Sequence, residues 1–239
     1  MTDQTKKTYD QIAEDYHQKR LDKSLSGWNE YLEVPAMEAL IKPLVKNKKV
    51  LDLGCGSGIL TSRLISWGAK AEGLELSPQM VEIGKKVYPE ITFTVGNAES
   101  IPFEDKIFDV VGSSLVMHYM KDLEKPFKEV SRILKPGGHF VFSIHHPMNE
   151  VLKMNDKDVF AHPYFHNNLY HWEMCGAKLE SYHHTFEHII TKLQACGFVV
   201  ESLIECKPDP QIKNEFSDFD FTSNYPTFCV FRTCLRALT

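Results

Sequence analysis

Val50-Leu51-Asp52-Leu53-Gly54-Cys55-Gly56-Ser57-Gly58 is the stretch whose reading decides the fold. Lys49 to Leu53 reads as a buried strand, and Leu60 to Trp67 behind it has helical spacing. Three alternate glycines between them allow a tight turn and let a ligand lie against the backbone. The helix start offers unpaired N–H groups and the positive end of a dipole, which suit a carboxylate or another anion. A strand before and a helix after distinguish such a loop from a chance cluster of glycines. Gly54, Gly56 and Gly58 spell GxGxG, and Ile59 stands where GxGxxG has its third glycine. Dinucleotide folds use that glycine for close helix–strand packing, so the spacing counts against NAD or FAD without removing them.

Outward from the loop, short apolar runs alternate with amphipathic stretches, the pattern of a parallel sheet with crossover helices. Ala69 to Leu74, Ile91 to Val95, Phe108 to Gly112 and His139 to Ile144 read as the next four strands. Ser77-Pro78 is a helix start with Ser as N-cap and Pro in the first turn. A helix is expected from about Leu123 to Leu134, ended by Lys135-Pro136-Gly137-Gly138. From His146 to Tyr182 the period is lost among His, Asn and aromatic residues. A helix resumes over His183 to Cys196, then a strand over Phe198 to Ile204, a loop over Lys207 to Asn224, and a strand over Pro226 to Thr233. The expected architecture is one doubly wound α/β domain over residues 1–239, with 146–182 as a cap insert.

The composition bounds the partners. The 239 residues are 43% hydrophobic and 25% charged, ordinary for a globular chain that needs no metal or disulfide to fold. A net charge of −5 disfavours nucleic acid, which needs clustered Lys and Arg. No run approaches the length of a membrane span. None of the six cysteines forms a C-x-x-C pair. Met1 to Arg20 is polar with no apolar h-region, so a cytoplasmic location with reduced thiols is expected. Glu75 closes the second strand about 20 residues past the glycines, where an acid commonly accepts hydrogen bonds from ribose hydroxyls.

Over roughly residues 45 to 145 these segments resemble, in order and spacing, the class I (Rossmann-like) S-adenosylmethionine-dependent methyltransferases. The likeness is to the methyltransferase type 11, or UbiE-like, group, whose first motif reads Asp-Leu-Gly-Cys-Gly-x-Gly. The resemblance implies a mostly parallel seven-stranded sheet in the order 3-2-1-4-5-7-6, with the last strand antiparallel and helices on both faces. It implies that Gly54, Cys55 and Gly56 cradle the methionine part of S-adenosyl-L-methionine, with Asp52 as the loop's acid. Glu75 matches the ribose-binding acid and Leu76 the apolar residue beside the adenine. Gly96-Asn97-Ala98-Glu99 matches the segment that meets the adenine amino group, with Asn97 in place of Asp. An amide oxygen still accepts a hydrogen bond, so the role survives without the charge. Phe108 to Leu115, with Ser114, matches the fourth strand and the loop facing the methionine end. Tyr9-Asp10-x-x-Ala13-x-x-Tyr16 resembles the N-terminal helix, where the second aromatic closes over the cofactor; residues 1–45 are expected to form a helical segment there. The product is then S-adenosyl-L-homocysteine.

Methyl transfer to a hydroxyl or an amine is helped by a general base, and His is the usual choice near neutral pH. It must project from the carboxyl ends of the strands. Of eleven histidines, His118 follows the fourth strand, while His145 and His146 follow the fifth. Ser143-Ile144-His145-His146-Pro147 resembles a subgroup with Glu-His-Pro at this place, which points to His146 as the base, with His118 second. Tyr182-His183-His184-Thr185 resembles that subgroup's His-His-Arg-Thr or Tyr-His-Arg-Thr, with His184 in place of Arg. His145, Tyr170, His183 and His184 are expected to bind substrate, and Tyr164, Phe165, Tyr170 and Trp172 to roof it. His162-x-x-x-His166 and His184-x-x-x-His188 have i,i+4 spacing, but no further ligand completes a set, and no metal is expected. The expectation is a methyltransferase acting on an O, N or C atom of a small molecule, with no nucleic acid or membrane partner, as a monomer or homodimer. A nicotinamide oxidoreductase on the same fold and a non-catalytic cofactor-binding module are the alternatives.

Overall fold

The computed structural model describes residues 3–151, 163–166 and 169–237. Helix α1 (Asp3–Leu21) leads through a π-helical turn, Asn29–Glu33, into α2 (Val34–Val45). The alternating units follow: β1 (Lys49–Leu53), α3 (Ile59–Ser66), β2 (Lys70–Glu75), α4 (Pro78–Val87), β3 (Thr92–Val95) and β4 (Phe108–Ser113). A 3-10 turn, Met117–Tyr119, precedes α5 (Glu124–Ile133) and the long β5 (Leu134–His145). Then come α6 (Pro147–Val151), β6 (Leu169–Met174), β7 (Ala177–Tyr182), α7 (Phe186–Ala195), β8 (Phe198–Glu205), a 3-10 turn at Pro210–Ile212, α8 (Phe219–Asn224) and β9 (Phe228–Leu235).

The main sheet runs β3-β2-β1-β4-β5-β9-β8, parallel through β5, with β9 antiparallel to both neighbours. This is the expected order once β6 and β7, a separate antiparallel hairpin in the insert, are left out of the numbering. Period-two alternation divides the strand residues between two cores. Leu51, Leu53, Val111, Phe140, Phe142 and Phe231 face the layer holding α5 and α7. Val50, Val110, Val141 and Val230 face α2 and Leu64 of α3. Thus α2 belongs mainly to a covering layer of the sheet, while α1 and the turn after it reach the loops at the strand ends.

Local chemistry sets several boundaries. Ser77 caps α4, its Oγ accepting from the Met80 N–H at 3.1 Å. Helix α7 begins at Phe186 rather than His183, because Thr185 is its cap and accepts from the His188 N–H at 3.1 Å. Pro136-Gly137-Gly138 does not separate helix from strand as a free turn. The segment is the start of β5, with Gly137 at φ 76° and a register shift against β4. The loop expected over Lys207 to Asn224 contains α8.

At the centre of the sheet, the Phe142 ring stacks on Phe140 at 4.6 Å and on Phe231 at 5.0 Å, all three fully buried. Phe142→Ala is expected to cost about 3–5 kcal/mol, as lost transfer energy plus a cavity. Urea denaturation checks it; a loss under about 1 kcal/mol would mean that the stack does not anchor the sheet.

Candidate active site

The carboxyl ends of β1, β2 and β4 open into a cleft partly covered by α1. The glycine loop forms its floor. Gly54 has φ 75°, and a Cβ there would come within 2.3 Å of a Val116 methyl, so the residue serves both the turn and the packing of the loop after β4. Gly56, at φ 55°, has nothing within 4 Å of where its Cβ would be, leaving its face open. Glu75, at the end of β2, is 8% exposed. Its Oε2 accepts from the Gly56 N–H at 2.9 Å and its Oε1 from the Ser77 N–H at 2.8 Å. A carboxylate has about four lone-pair sites, so these bonds do not exhaust its capacity to accept.

Three buried carboxyls gather here: Glu75, Asp52 and Glu33. Asp52 accepts from Thr61 Oγ1 at 2.6 Å. Glu33, on the π-helical turn, accepts through Oε1 from Ser114 Oγ at 2.8 Å and Ser143 Oγ at 2.5 Å, which ties that turn to the ends of β4 and β5. Burial holds all three above the ordinary carboxylate range against the pull of their donors, Asp52 to about 7. A cation bound among them would favour their ionised forms.

Of the residues expected at the cofactor, Tyr16, Asp52, Gly54, Cys55, Gly56, Glu75, Leu76 and Ser114 line this cleft. Asn97, Ala98 and Glu99 do not. Asn97 turns its amide oxygen onto the Glu99 N–H at 3.0 Å, closing an Asx turn, and Ala98 packs into the core. The cleft also takes residues not expected from the sequence, chiefly Tyr9, Arg20, Asn29 and Tyr119. Arg20 lies one turn past Tyr16, so i,i+4 spacing on α1 could have found it. Its Nη1 is buried with no hydrogen-bond partner. His17 also escaped the sequence reading; its Nδ1 is 2.8 Å from Ser57 Oγ and pins α1 to the glycine loop.

A second, roomier cavity adjoins the first. The two share Tyr9, Tyr16, Arg20, Asn29, Leu115 and Tyr119. The far wall is aromatic: Trp28, Trp172, Phe228, His118 and His145. His118 and His145 stack with centroids 3.8 Å apart and planes within 9°. Tyr170 lies behind them, its hydroxyl 2.9 Å from His145 Nδ1. His118 is 1% exposed, and neither of its ring nitrogens has a hydrogen-bond partner. Burial, helped by the neighbouring His145 and His184, drives its pKa well below the usual histidine value. Burial takes His145 to about 4. Both rings are neutral near pH 7.

His146 does not reach either cavity, which corrects its expected place as base. Its Nδ1 accepts from the Met148 N–H at 3.1 Å, its Nε2 bonds Glu205 at 2.9 Å, and the ring lies edge-on to Phe186. Alternation along the end of β5 sends adjacent side chains to opposite sides, so His145 takes the cavity wall and His146 the far side. His183 and His184 are also outside both cavities. They donate from Nε2 to the carbonyls of Tyr164 (2.7 Å) and Met120 (2.8 Å), fixing the insert and the 3-10 turn. Of the expected roof, Trp172 lines the cavity, Tyr170 acts through His145, and Phe165 is 85% exposed. His162 lies outside the described residues.

The comparisons agree with this geometry. Residues 51–142 match the model of a methyltransferase domain. The demethylmenaquinone methyltransferase of Chlorobaculum tepidum is 34% identical over 182 residues, 67% of this chain and 74% of that protein. The sterol 4-C-methyltransferase strm-1 of Caenorhabditis elegans is 31% identical over 140 residues, 56% of this chain and 40% of that one. The crystal structure of a putative S-adenosylmethionine-dependent methyltransferase from Listeria monocytogenes superposes with a TM-score of 0.74 at 28% identity, covering 85% of this chain and 96% of that one. The chain belongs to the S-adenosylmethionine-dependent methyltransferase family and is an enzyme of that class. The nicotinamide alternative falls with these matches. No helix among the described residues is long and apolar enough to cross a membrane.

Asp52 supplies a test of the buried carboxyl cluster. Its native pKa, about 7, lies above the ordinary 3.8, so between those values the folded state holds a proton that the unfolded state has released. Stability contributed by the protonated form is complete below about pH 4 and falls as pH rises through 7. Asp52→Asn is expected to flatten this decline by up to about 1.4 kcal/mol per pH unit. Urea melts across that window check it; equal slopes in wild type and variant would refute a protonated, buried Asp52.

Proposed function

We propose that the cleft binds S-adenosyl-L-methionine and that its methyl group passes to a small molecule seated in the adjoining cavity. The observation that carries this reading is the shared wall. A polar cleft built on Glu75 and the glycine loop opens through Tyr9, Tyr16 and Leu115 onto an aromatic cavity containing an unpartnered, neutral histidine.

The residues present fit the cofactor. Glu75 has lone pairs to spare for ribose hydroxyls, and Leu76 offers an apolar surface to the adenine. The open face of Gly56 and the backbone of Gly54 and Cys55 suit the methionine part. Arg20, with its buried and unpartnered Nη1, suits the carboxylate. When bound, the cofactor supplies a methyl group already activated by its sulfonium.

The protein's part is alignment, exclusion of water and proton removal. Tyr9 and Tyr119, joined hydroxyl to hydroxyl at 2.7 Å, stand at the shared wall and restrict solvent there. His118 takes the place of His146 as base. Its depressed pKa keeps it unprotonated at neutral pH, and its residue is part of the wall of the cavity in which an acceptor would sit. Named substrates of relatives, demethylmenaquinone and a sterol, are small molecules, which supports the same class of acceptor here. The net charge of −5 weighs against nucleic acid. We place the enzyme in the cytoplasm, as a single domain acting as monomer or homodimer.

Calorimetric titration with S-adenosyl-L-homocysteine is the test. Wild type is expected to bind at micromolar concentration, and Glu75→Ala and Arg20→Met each to weaken binding about tenfold or more, the scale of a charged hydrogen bond. No binding to wild type would overturn the assignment of the cleft.

A further inference from the structure

We propose that His139, Glu201 and Cys234 form a site for one divalent ion of the zinc type, which clips the last three strands of the main sheet together. The three stand on β5, β8 and β9, and none of them lines the cleft or the second cavity.

The sheet builds the site. Pairing sets His139 directly opposite Cys234, and Cys234 opposite Val199 on its other side. Residues directly opposite one another share a face, with Cβ atoms about 5 Å apart. Glu201 follows two residues beyond Val199, at a register shift between Val200 and Ser202. Such a bulge re-aims the side chain that it carries. His139 Nε2 and Glu201 Oε2 are 3.5 Å apart, and ligand atoms of all three residues lie within 4.8 Å of one another. Ligands bound to a tetrahedral zinc ion at about 2.0–2.3 Å are themselves about 3.3–3.8 Å apart, so small side-chain rotations close the set. Among the described residues, no other three His, Cys, Asp or Glu side chains come together this closely.

The donor set selects the ion. An imidazole nitrogen and a thiolate sulfur suit zinc, whereas magnesium and calcium take oxygen ligands. The thiolate and the carboxylate together balance a divalent charge. All three side chains are partly exposed, which admits the ion and leaves its fourth position to water. Cys234 Sγ gives up only two long contacts, each 3.7 Å, to the carbonyls of Gly137 and Leu235. Its proton passes to solvent as the sulfur–metal bond forms. Arg232 Nε donates to Glu201 Oε2 at 3.1 Å and orients the carboxylate, as outer-shell partners of metal ligands do. Strand β8 is an edge strand with β9 as its neighbour, so an ion bridging it to β5 ties down the least supported side of the sheet. Six residues of extended β5, about 20 Å, separate His139 from His145, which makes the role structural rather than catalytic. The ligands come from three strands far apart in sequence, which is why i,i+4 spacing could not reveal them.

The test uses the reduced chain of 239 residues without a histidine tag. Titration with cobalt is expected to give a thiolate-to-metal charge-transfer band that saturates at one ion per chain. Zinc is expected to displace the cobalt, and magnesium to leave it in place. Cys234→Ser is expected to abolish the band. His139→Gln and Glu201→Gln are each expected to weaken zinc binding at least tenfold, measured by competition with a chromophoric chelator. Zinc at a hundredfold excess over its Kd is expected to raise the wild-type melting midpoint by about 5 °C or more, and that of Cys234→Ser by less than about 1 °C. Cooperative melts of the metal-free variants show that they are folded, and Cys234→Ala replaces the serine variant if that one is not. No band in wild type, a band that survives loss of Cys234, zinc binding that either His139→Gln or Glu201→Gln leaves unchanged, displacement by magnesium, or no zinc-dependent rise in the midpoint would overturn the site.

Discussion

The Glu75 carboxylate joins two loops that sequence alone leaves apart. One oxygen accepts from Gly56, in the turn after β1, and the other from Ser77, at the start of α4. Both bonds lie in a buried environment, where a hydrogen bond is strong and an unpaired polar group is costly. The glycine loop therefore depends on Glu75 for its shape. That shape fixes the open face of Gly56 and the start of α3. From the same loop, Ser57 reaches His17 and holds α1 across the cleft. The cover and the floor of the site are thus linked through side chains only a few residues apart.

Glu33 plays a parallel part on the other side. It stands on the π-helical turn between α1 and α2 and accepts from the serines that end β4 and β5. Ser143 also accepts from the Leu115 N–H at 2.9 Å, and Leu115 sits at φ 55°, a conformation unusual for a branched residue. Leu115 lies on the wall shared by the two cavities. The buried network holds the strained backbone where cofactor and acceptor would meet, which is where strain is commonly found.

The same burial that builds these networks sets the charge states. Three carboxyls beside the cleft resist ionisation, and two stacked imidazoles beside the acceptor cavity resist protonation. A sulfonium entering the first region would relieve the carboxyls. The two imidazoles of the second region are unprotonated at neutral pH. Desolvation, rather than any single ion pair, sets the charge states in both cavities.

The sequence by itself determined the sheet and the floor of the cleft, because these depend on local signals. Alternation, glycine spacing and the Ser77-Pro78 cap act over a few residues, and each stands near its expected position in the structure. The loop acid Asp52, the glycines and Glu75 were legible for the same reason. The aromatic wall of the second cavity was not. His145 and His146 are neighbours with equal chemistry, and only the direction of β5 and the position of Phe186 and Glu205 assign one to the cavity and the other away from it. Asn97 carried the right group, but its local turn claimed the oxygen. Arg20, Glu33 and His17 sit in helical segments whose sequences resemble ordinary amphipathic surface. Their burial follows from α1 and the π-helical turn folding back over the strand ends, a long-range contact that no window of sequence contains. Tertiary structure alone decided which polar groups lost water, and that loss gives those groups their chemistry.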